Sequence, residues 1–234
     1  MVCPDRAVER QGGGAALIKN PDLAIKIIQA AKVGSDGLPV SVKTRLGYNK
    51  IDFDWLRVIL EQKISALTVH LRTRKEMSDG PAHWEIMPEI IKMRDRISPQ
   101  TLIIGNGDVQ FPEEAMDKMD KYGCDGIMIG RGIFGKPWLF ENIDLIKTSS
   151  PNKVSIHGQN NKDIRRQFKI MLEHTKSFEK EFKGIKNFAI MKKHFKAYVS
   201  GFDCAREFRI ALMGAQNAKE VSKIIRKFFT HSFY

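Results

Sequence analysis

Two glycine-rich segments of the chain could bind a phosphate group. Gly105-Asn106-Gly107-Asp108 follows one apolar run, and Gly130-Arg131-Gly132 follows the next. Glycine lets backbone N–H groups approach a phosphate closely, and the Arg131 guanidinium would add a fixed, bidentate charge. A single segment of this kind is often only a tight turn. Two of them after consecutive strands, where barrel enzymes bind phosphate, favour a phosphate site over plain turns.

Lys43 and His70 lie toward the ends of two earlier apolar runs and could contact the ring of a cofactor. A lysine can stabilise negative charge on a reduced flavin ring, and an imidazole can hydrogen-bond to ring heteroatoms. Taken singly, Lys43 could instead be a member of an ion pair and His70 a core histidine. Beside two candidate phosphate segments, flavin binding becomes the better explanation of both.

Cys3 is a candidate proton donor, because it precedes a glycine-rich segment that we expect to be a mobile loop. An ordinary thiol has a pKa of about 8.5 and is mostly protonated at neutral pH. We expect packing to account for Cys124 and Cys204. Since the three cysteines are widely spaced and form no Cys-x-x-Cys pair, we expect neither a disulfide framework nor a metal site.

These residues must be positioned by a regular arrangement of strands and helices. Residues 40–45, 66–70, 101–106 and 126–131 form β-rich apolar runs, and helical patterns separate them. One helix is expected from Asn20 or Asp22, one from Asp52 or Asp54, and two more over residues 84–97 and 112–122. Alternation of this kind predicts βα units and a parallel sheet whose carboxyl ends carry the polar residues.

The number of strands bears on which α/β fold is present. A closed TIM (β/α)8 barrel needs eight strands in about 250 residues, whereas the sequence shows four. We therefore expect either a small open sheet or the C-terminal part of a barrel over residues 1–147, with the N-terminal strands missing. Polar composition over residues 148–161 predicts a linker, and apolar residues at helical spacing over 162–234 predict a small all-α bundle.

The net charge of +12 is concentrated in that helical part. Residues 1–150 carry 21 Lys and Arg against 20 Asp and Glu, whereas residues 151–234 carry 18 against 7. Lys192, Lys193 and Lys196 are expected on its outer face. A segregated positive field attracts nucleic acid or an anionic membrane, although a merely soluble basic surface is the plainer alternative. No apolar stretch approaches the ~18 residues of a membrane span. The start of the chain lacks the apolar core of a signal peptide, so we expect a cytoplasmic protein.

Five segments together carry a resemblance to a known family. They are, in order, Cys3-Pro4 with residues 13–17; residues 42–47; residues 70–74 with 80–84; residues 105–108; and residues 128–132 with 137–140. In this order they resemble the tRNA-dihydrouridine synthases, over essentially the whole chain. The resemblance implies an FMN-binding TIM barrel followed by a helical tRNA-binding domain. It also implies reduction of the C5–C6 double bond of particular uridines in tRNA, with NADPH regenerating the reduced flavin.

The resemblance also implies roles for individual residues. Cys3 matches the general acid that protonates C5 after hydride from the flavin reaches C6. The other matches are flavin-ring contacts at Lys43 and His70, and ribityl-phosphate contacts at Asn106, Gly107, Asp108, Gly130 and Arg131. Contacts with the target nucleotide or nearby phosphates are expected from Arg45, Arg72 and Arg74. The positive charge of the helical part, rather than a family motif, leads us to expect contacts with tRNA from Lys192, Lys193 and Lys196.

The chain departs from the family pattern in one respect. In the family, the cysteine motif follows roughly the first third of the protein, whereas here it stands at residue 3. We therefore expect a fragment, a late start codon or a truncated form that is colourless and inactive alone. Two alternatives stay open, namely another FMN-dependent barrel enzyme acting on a small molecule and a non-enzymatic RNA-binding protein.

Overall fold

The computed structural model of the protein describes residues 4–141, 161–202 and 204–231. The chain forms two compact units, Met1–Gly132 and Ile133–Tyr234. Most of the predicted linker, residues 148–160, lies outside the described residues, as does Cys3. Within the described ranges, no helix is both long enough and apolar enough to cross a lipid bilayer.

The first unit is built on a parallel sheet of four strands. They are β1 (Ser41–Arg45), β2 (Ala66–His70), β3 (Leu102–Asn106) and β4 (Gly126–Met128), in the order β1-β2-β3-β4. The register places Arg45, His70, Asn106 and Met128 in one row, which we call the carboxyl edge of the sheet. The predicted α/β class, with parallel βα units followed by a helical part, is confirmed.

Helices follow the strands as their sequence signals predict. The first unit contains α1 (Arg6–Arg10), α2 (Pro21–Gly34), α3 (Phe53–Leu60), α4 (Met87–Ile97) and α5 (Pro112–Tyr122), with short 3-10 helices at Gly14–Lys19, Trp84–Ile86 and Arg131–Ile133. The side chains of Asn20 and Asp52 accept hydrogen bonds from the first turns of α2 and α3. Each thereby satisfies a backbone N–H that the helix itself leaves unpaired.

The core of the first unit lies between the sheet and its helices. Helix α3 contributes Trp55 and Leu56, which are at most 2% exposed, and the Trp55 indole N–H donates to Thr44 Oγ1 at 2.9 Å. The segment after Cys3 differs from the expected mobile loop. Asp5 caps helix α1, and Ala15 and Leu17 are buried in the same core. The expectation of a loop there is wrong, because apolar side chains fix the segment after its glycines.

The second unit is a helical bundle around an aromatic core. Its helices are α6 (Asn161–Phe182), α7 (Met191–Tyr198), α8 (Ala205–Gly214) and α9 (Ala218–His231), with a 3-10 turn at Phe188–Ile190. Phe168 is 1% exposed and packs against the rings of Phe208 and Phe228, at centroid distances of 4.8 and 5.8 Å. Packing does not explain Cys204, which is exposed and has a φ of +62° directly before α8. Ile185 is 73% exposed, since regular α-helix resumes only at Met191.

Candidate active site

The carboxyl edge of the sheet brings polar side chains from three strands together. Lys43 Nζ donates to Asn106 Oδ1 at 2.8 Å, and Asn106 Nδ2 donates to the Met128 carbonyl at 2.7 Å. Asn106, on β3, therefore contacts β1 across β2 on one side and the neighbouring β4 on the other, and its amide orientation is set at both ends. The predicted grouping of Lys43, His70 and Asn106 is observed in the geometry.

The surroundings of Lys43 change its acidity. Burial of the ammonium group, together with the nearby positive charge of Arg45, lowers the pKa of Lys43 from 10.5 to about 8. A buried amine without a carboxylate partner loses its proton more easily, because the charged form is the one that desolvation penalises. Lys43 can therefore hold a positive charge at neutral pH and lose it in mildly alkaline solution.

His70 is held in its neutral form. Burial, followed by the charges of Arg45, Lys43 and Arg72, lowers the pKa of His70 from 6.5 to about 3. The imidazole therefore carries one proton rather than two at neutral pH. A neutral ring can donate one hydrogen bond and accept another, whereas an imidazolium could only donate.

Gly107 and Asp108 form a tight turn directly after β3. Their φ angles are +132° and +51°, both in the region that L side chains rarely adopt. The Asp108 carboxylate accepts from Arg72 Nη2 at 2.5 Å and from the Ala82 N–H at 2.8 Å. Burial alone would raise the pKa of Asp108, but these two hydrogen bonds, aided by the Arg131 charge, outweigh it and hold that pKa below its ordinary value.

The turn forms one wall of a cavity of about 210 Å³, which we call the anion cavity. Its lining residues are His70, Ser78, Asn106, Gly107, Asp108, Val109, Gln110, Gly130 and Arg131. Six of these were predicted as site residues. Ser78, Val109 and Gln110 were missed, because nothing in their local sequence distinguishes them from ordinary loop residues.

The lining of the anion cavity fits a phosphate group. A Cβ at Gly130 would meet nothing closer than Asn106 Nδ2 at 3.9 Å, so the backbone there is open to a ligand. The Arg131 side chain is 63% exposed, and its Nη2 lies 3.6 Å from Asp108 Oδ1. The cavity is smaller than the ~300–1,000 Å³ of sites that enclose a whole organic ligand. Its size suits a single anionic group such as a phosphate rather than a whole organic ligand.

The three arginines predicted to contact RNA have intramolecular partners in this structure. Arg45 is buried, and its Nη1 donates to the carbonyls of Thr73 and Met77 at 2.9 and 2.8 Å. Arg74 pairs with Glu9, with Nε 2.7 Å from Oε1. Arg72 is also buried. A contact between RNA and these guanidinium groups would have to replace such bonds, and it stays a prediction.

A second cluster of polar side chains forms hydrogen bonds within the loop after β2. The sequence analysis did not predict this cluster. The imidazole of His83 lies 2.6 Å from Glu76 Oε1 and 3.0 Å from Glu85 Oε1. These carboxylates raise the pKa of His83 despite its partial burial. Hydrogen bonds from His83 and Thr73 lower the pKa of Glu76 to about 2, against the opposing effect of burial. Only the presence of His83 in a family segment could have signalled this pairing.

The predicted RNA-contacting lysines lie on helix α7 of the second unit. Lys193 and Lys196 are exposed and Lys192 is partly buried, and none has an ion-pair partner within the described part of the chain. The unit as a whole carries 20 Lys and Arg against 9 Asp and Glu. The strong positive charge expected from the sequence therefore belongs to a folded helical unit.

Comparison with known proteins agrees with the geometry. The chain matches the family described as Dihydrouridine synthase (Dus) over residues 1–232. It is 42% identical over 230 residues to the "Probable tRNA-dihydrouridine synthase" of Staphylococcus aureus (strain N315), a match covering 97% of this chain and 65% of that protein. It is 41% identical over 230 residues to the "Probable tRNA-dihydrouridine synthase 2" of Bacillus subtilis (strain 168), with 97% and 66% coverage. The chain thus spans just under two thirds of the length of these curated relatives. A match of this extent shows that the chain belongs to the dihydrouridine synthase family.

Proposed function

We propose that the protein catalyses the reduction of specific uridines in tRNA to 5,6-dihydrouridine, with FMN as cofactor and NADPH as reductant. The proposal rests on one observation, which is that three features of the site lie close together. The anion cavity, Lys43 and neutral His70 meet at the carboxyl edge of a parallel sheet. This edge is where barrel enzymes hold ligands. Family membership and the names of the relatives support the same reaction.

In this proposal the anion cavity binds the flavin phosphate. The open backbone at Gly130 and the turn at Gly107 allow close approach, and Arg131 supplies the positive charge. Asp108 is the single carboxylate among the cavity residues, and it is already paired with Arg72 and Arg131. It therefore orients Arg131 rather than repelling an anion. A phosphate bound by charge-assisted hydrogen bonds contributes strongly to affinity.

Lys43 and His70 would contact the flavin ring. Bound FMN would supply the hydride that adds to C6 of the uracil. Lys43 holds a cation against the negative charge that a reduced ring carries, and its hydrogen bond to Asn106 fixes the position of the ammonium group. His70 adds a neutral imidazole, which contributes directed hydrogen bonding without a second full charge.

Cys3 is proposed as the acid that completes the reduction. A thiol donates a proton to C5 while the hydride adds to C6, so that the double bond gains one hydrogen at each carbon. The residue lies outside the described part of the structure, and its role follows from the family resemblance. The first structured element after it is helix α1, which is tied by Glu9 to Arg74 of the loop after β2.

The helical unit would hold the tRNA. We propose residues 1–147 as the cofactor-binding part, 148–161 as a linker and 162–234 as the RNA-binding part. An open groove of about 580 Å³ in the helical unit is lined by Lys196, Ser200, Arg206, Arg209, Ile210 and Met213. Three of these six are cations and none is acidic. Such a groove suits a phosphate backbone, and the target base must leave its stack to reach the flavin.

The proposed function is tested by a direct assay for dihydrouridine. Unmodified tRNA is incubated with the chain, FMN and NADPH, and the nucleosides are analysed by mass spectrometry for a gain of two hydrogens on uridine. The same assay is run on the chain extended at its amino terminus with the corresponding part of the Staphylococcus aureus relative. Dihydrouridine in either sample that depends on both FMN and NADPH supports the proposal. Its absence from both, with folded protein and bound FMN, contradicts it.

A further inference from the structure

Arg72 is the most deeply buried cation near the candidate site. Its side chain is only 2% exposed, and its charge is compensated by hydrogen bonds to polar groups of the protein rather than by water. Nη2 donates to the Gly80 carbonyl and to Asp108 Oδ2, each at 2.5 Å, and Nε donates to the same Gly80 carbonyl at 3.2 Å. The remaining nitrogen, Nη1, lies 3.3 Å from Nε2 of His70. A buried guanidinium held at three groups has little freedom to move.

In the hydrogen bond between Arg72 and His70, only one residue can be the donor. A guanidinium has five N–H donors and no acceptor, and it keeps its proton in proteins, so Arg72 can only donate. His70 Nε2 must therefore accept, and it can do so only when it carries no proton. The proton of the neutral ring is then on Nδ1. Lowering of the His70 pKa by burial and by the neighbouring cations agrees with a neutral ring.

The packing around His70 also shows that the Nε2 edge of the ring is the occupied one. A Cβ at Gly107 would lie 3.3 Å from His70 Cδ2 and 3.7 Å from Nε2. The Cδ2–Nε2 edge therefore faces Gly107 and Arg72. Nδ1 is on the opposite edge, and no described residue accepts a hydrogen bond from it. It is the ring atom able to donate to a bound group.

We propose that Arg72 is a positioning residue that fixes His70 as the neutral Nδ1–H tautomer, so that His70 presents a hydrogen-bond donor to an acceptor atom of the ligand. The identity of that ligand rests on the proposed function, whereas the tautomer does not. The same guanidinium holds Asp108 and the Gly80 carbonyl. One side chain thus sets the imidazole and the phosphate-side turn relative to each other.

The test is a measurement of the His70 tautomer in the 234-residue chain without added ligand. Two-bond ¹H–¹⁵N correlation spectra of protein labelled with ¹⁵N-histidine distinguish Nδ1–H, Nε2–H and doubly protonated rings. The His70 signal is assigned by its absence in His70→Gln. Arg72→Met removes the donor, Arg72→Lys retains a cationic donor, and Arg74→Met is the control. Arg74 lies two residues away and pairs with Glu9 instead.

The expected result is a single Nδ1–H tautomer in the wild type and in Arg74→Met. In Arg72→Met we expect loss of that preference, and Arg72→Lys should restore part of it. An Nε2–H or doubly protonated His70 in the wild type at neutral pH overturns the proposal, even if every Arg72 variant fails to fold. An unchanged tautomer in folded Arg72→Met also overturns it. Failure to bind FMN or to reduce tRNA would count against the proposed function and leave this spectrum unaffected.

Discussion

Replacing Gly107 with alanine tests whether the turn after β3 is as tightly built as the structure indicates. Gly107 has a φ of +132°, and an added Cβ would lie 2.8 Å from Ala82 Cβ. Ala82 cannot easily move away, because its backbone N–H donates to Asp108 at 2.8 Å and its side chain is 9% exposed. The added methyl group therefore acts on the anion cavity and on the loop that carries Ala82.

The expected loss of stability has two parts. Carbon atoms in good contact lie about 3.5–4.0 Å apart, so the new pair would overlap by roughly 0.7 Å or more. Overpacking of a tight site costs about 1–3 kcal/mol. Holding an alanine at a positive φ costs about another 1–3 kcal/mol. We therefore expect Gly107→Ala to lower the free energy of unfolding of the first unit by roughly 2–6 kcal/mol.

Urea unfolding followed by tryptophan fluorescence measures this loss. Trp84 is a suitable reporter, since its indole N–H donates to the Gly107 carbonyl at 3.0 Å. Two control glycines separate the two contributions. Gly37 has a φ of +83° with nothing within 4 Å of a Cβ, and Gly34 has neither a positive φ nor a contact. Gly37→Ala should show the backbone cost alone, and Gly34→Ala should be neutral or slightly stabilising. If Gly107→Ala and Gly37→Ala have the same free energy of unfolding, the added methyl group at position 107 meets no steric resistance and this reasoning is refuted.

Three further predictions concern the proposed reaction. Because the pKa of Lys43 is lowered from 10.5 to about 8, its charge is lost as pH rises through 8. FMN affinity measured by flavin fluorescence should therefore fall between about pH 7 and about pH 9. The same fall in Lys43→Met would contradict this origin. In the chain extended at its amino terminus, Cys3→Ala should still bind FMN and tRNA and oxidise NADPH yet form little dihydrouridine, and undiminished product would remove the thiol from the mechanism. Changing Lys192, Lys193 and Lys196 to glutamine should weaken tRNA binding in gel shifts. Each lost phosphate contact should also reduce the salt slope by about 1, and an unchanged slope would place the RNA elsewhere.

The strands could be predicted from the sequence because burial on both faces leaves a simple signal. Residues 66–70 are mostly apolar, and β2 has those bounds in the structure. The fourth strand was less predictable. Its pattern extended to Arg131, but the strand ends at Met128, whose carbonyl accepts from Asn106, and Arg131 begins a 3-10 helix. The Asn106 side chain comes from another strand, so this contact at the end of β4 is not visible in the local sequence.

Most residues of the candidate site could be predicted from the sequence, but the hydrogen bonds between them could not. Glycines and charged residues after apolar runs identified most of the anion cavity. Burial of Arg72 could not be foreseen, because arginine is usually exposed and its partners are remote in sequence. Gly80 is 8 residues away and Asp108 is 36 residues away. Only the parallel register, which sets β2 beside β3, brings them together.

The most direct test of the central claim compares FMN with riboflavin, which share the ring and differ by the phosphate. Affinities are measured by fluorescence titration for the chain extended at its amino terminus with the corresponding part of the Staphylococcus aureus relative, and for the same extended chain carrying Arg131→Met. A charge-assisted hydrogen bond contributes about 1.5–3 kcal/mol, so FMN should bind at least roughly tenfold more tightly than riboflavin. Arg131→Met should remove most of that advantage without changing riboflavin affinity. Equal affinity for the two flavins, or an FMN preference untouched by Arg131→Met, would contradict phosphate binding in the anion cavity.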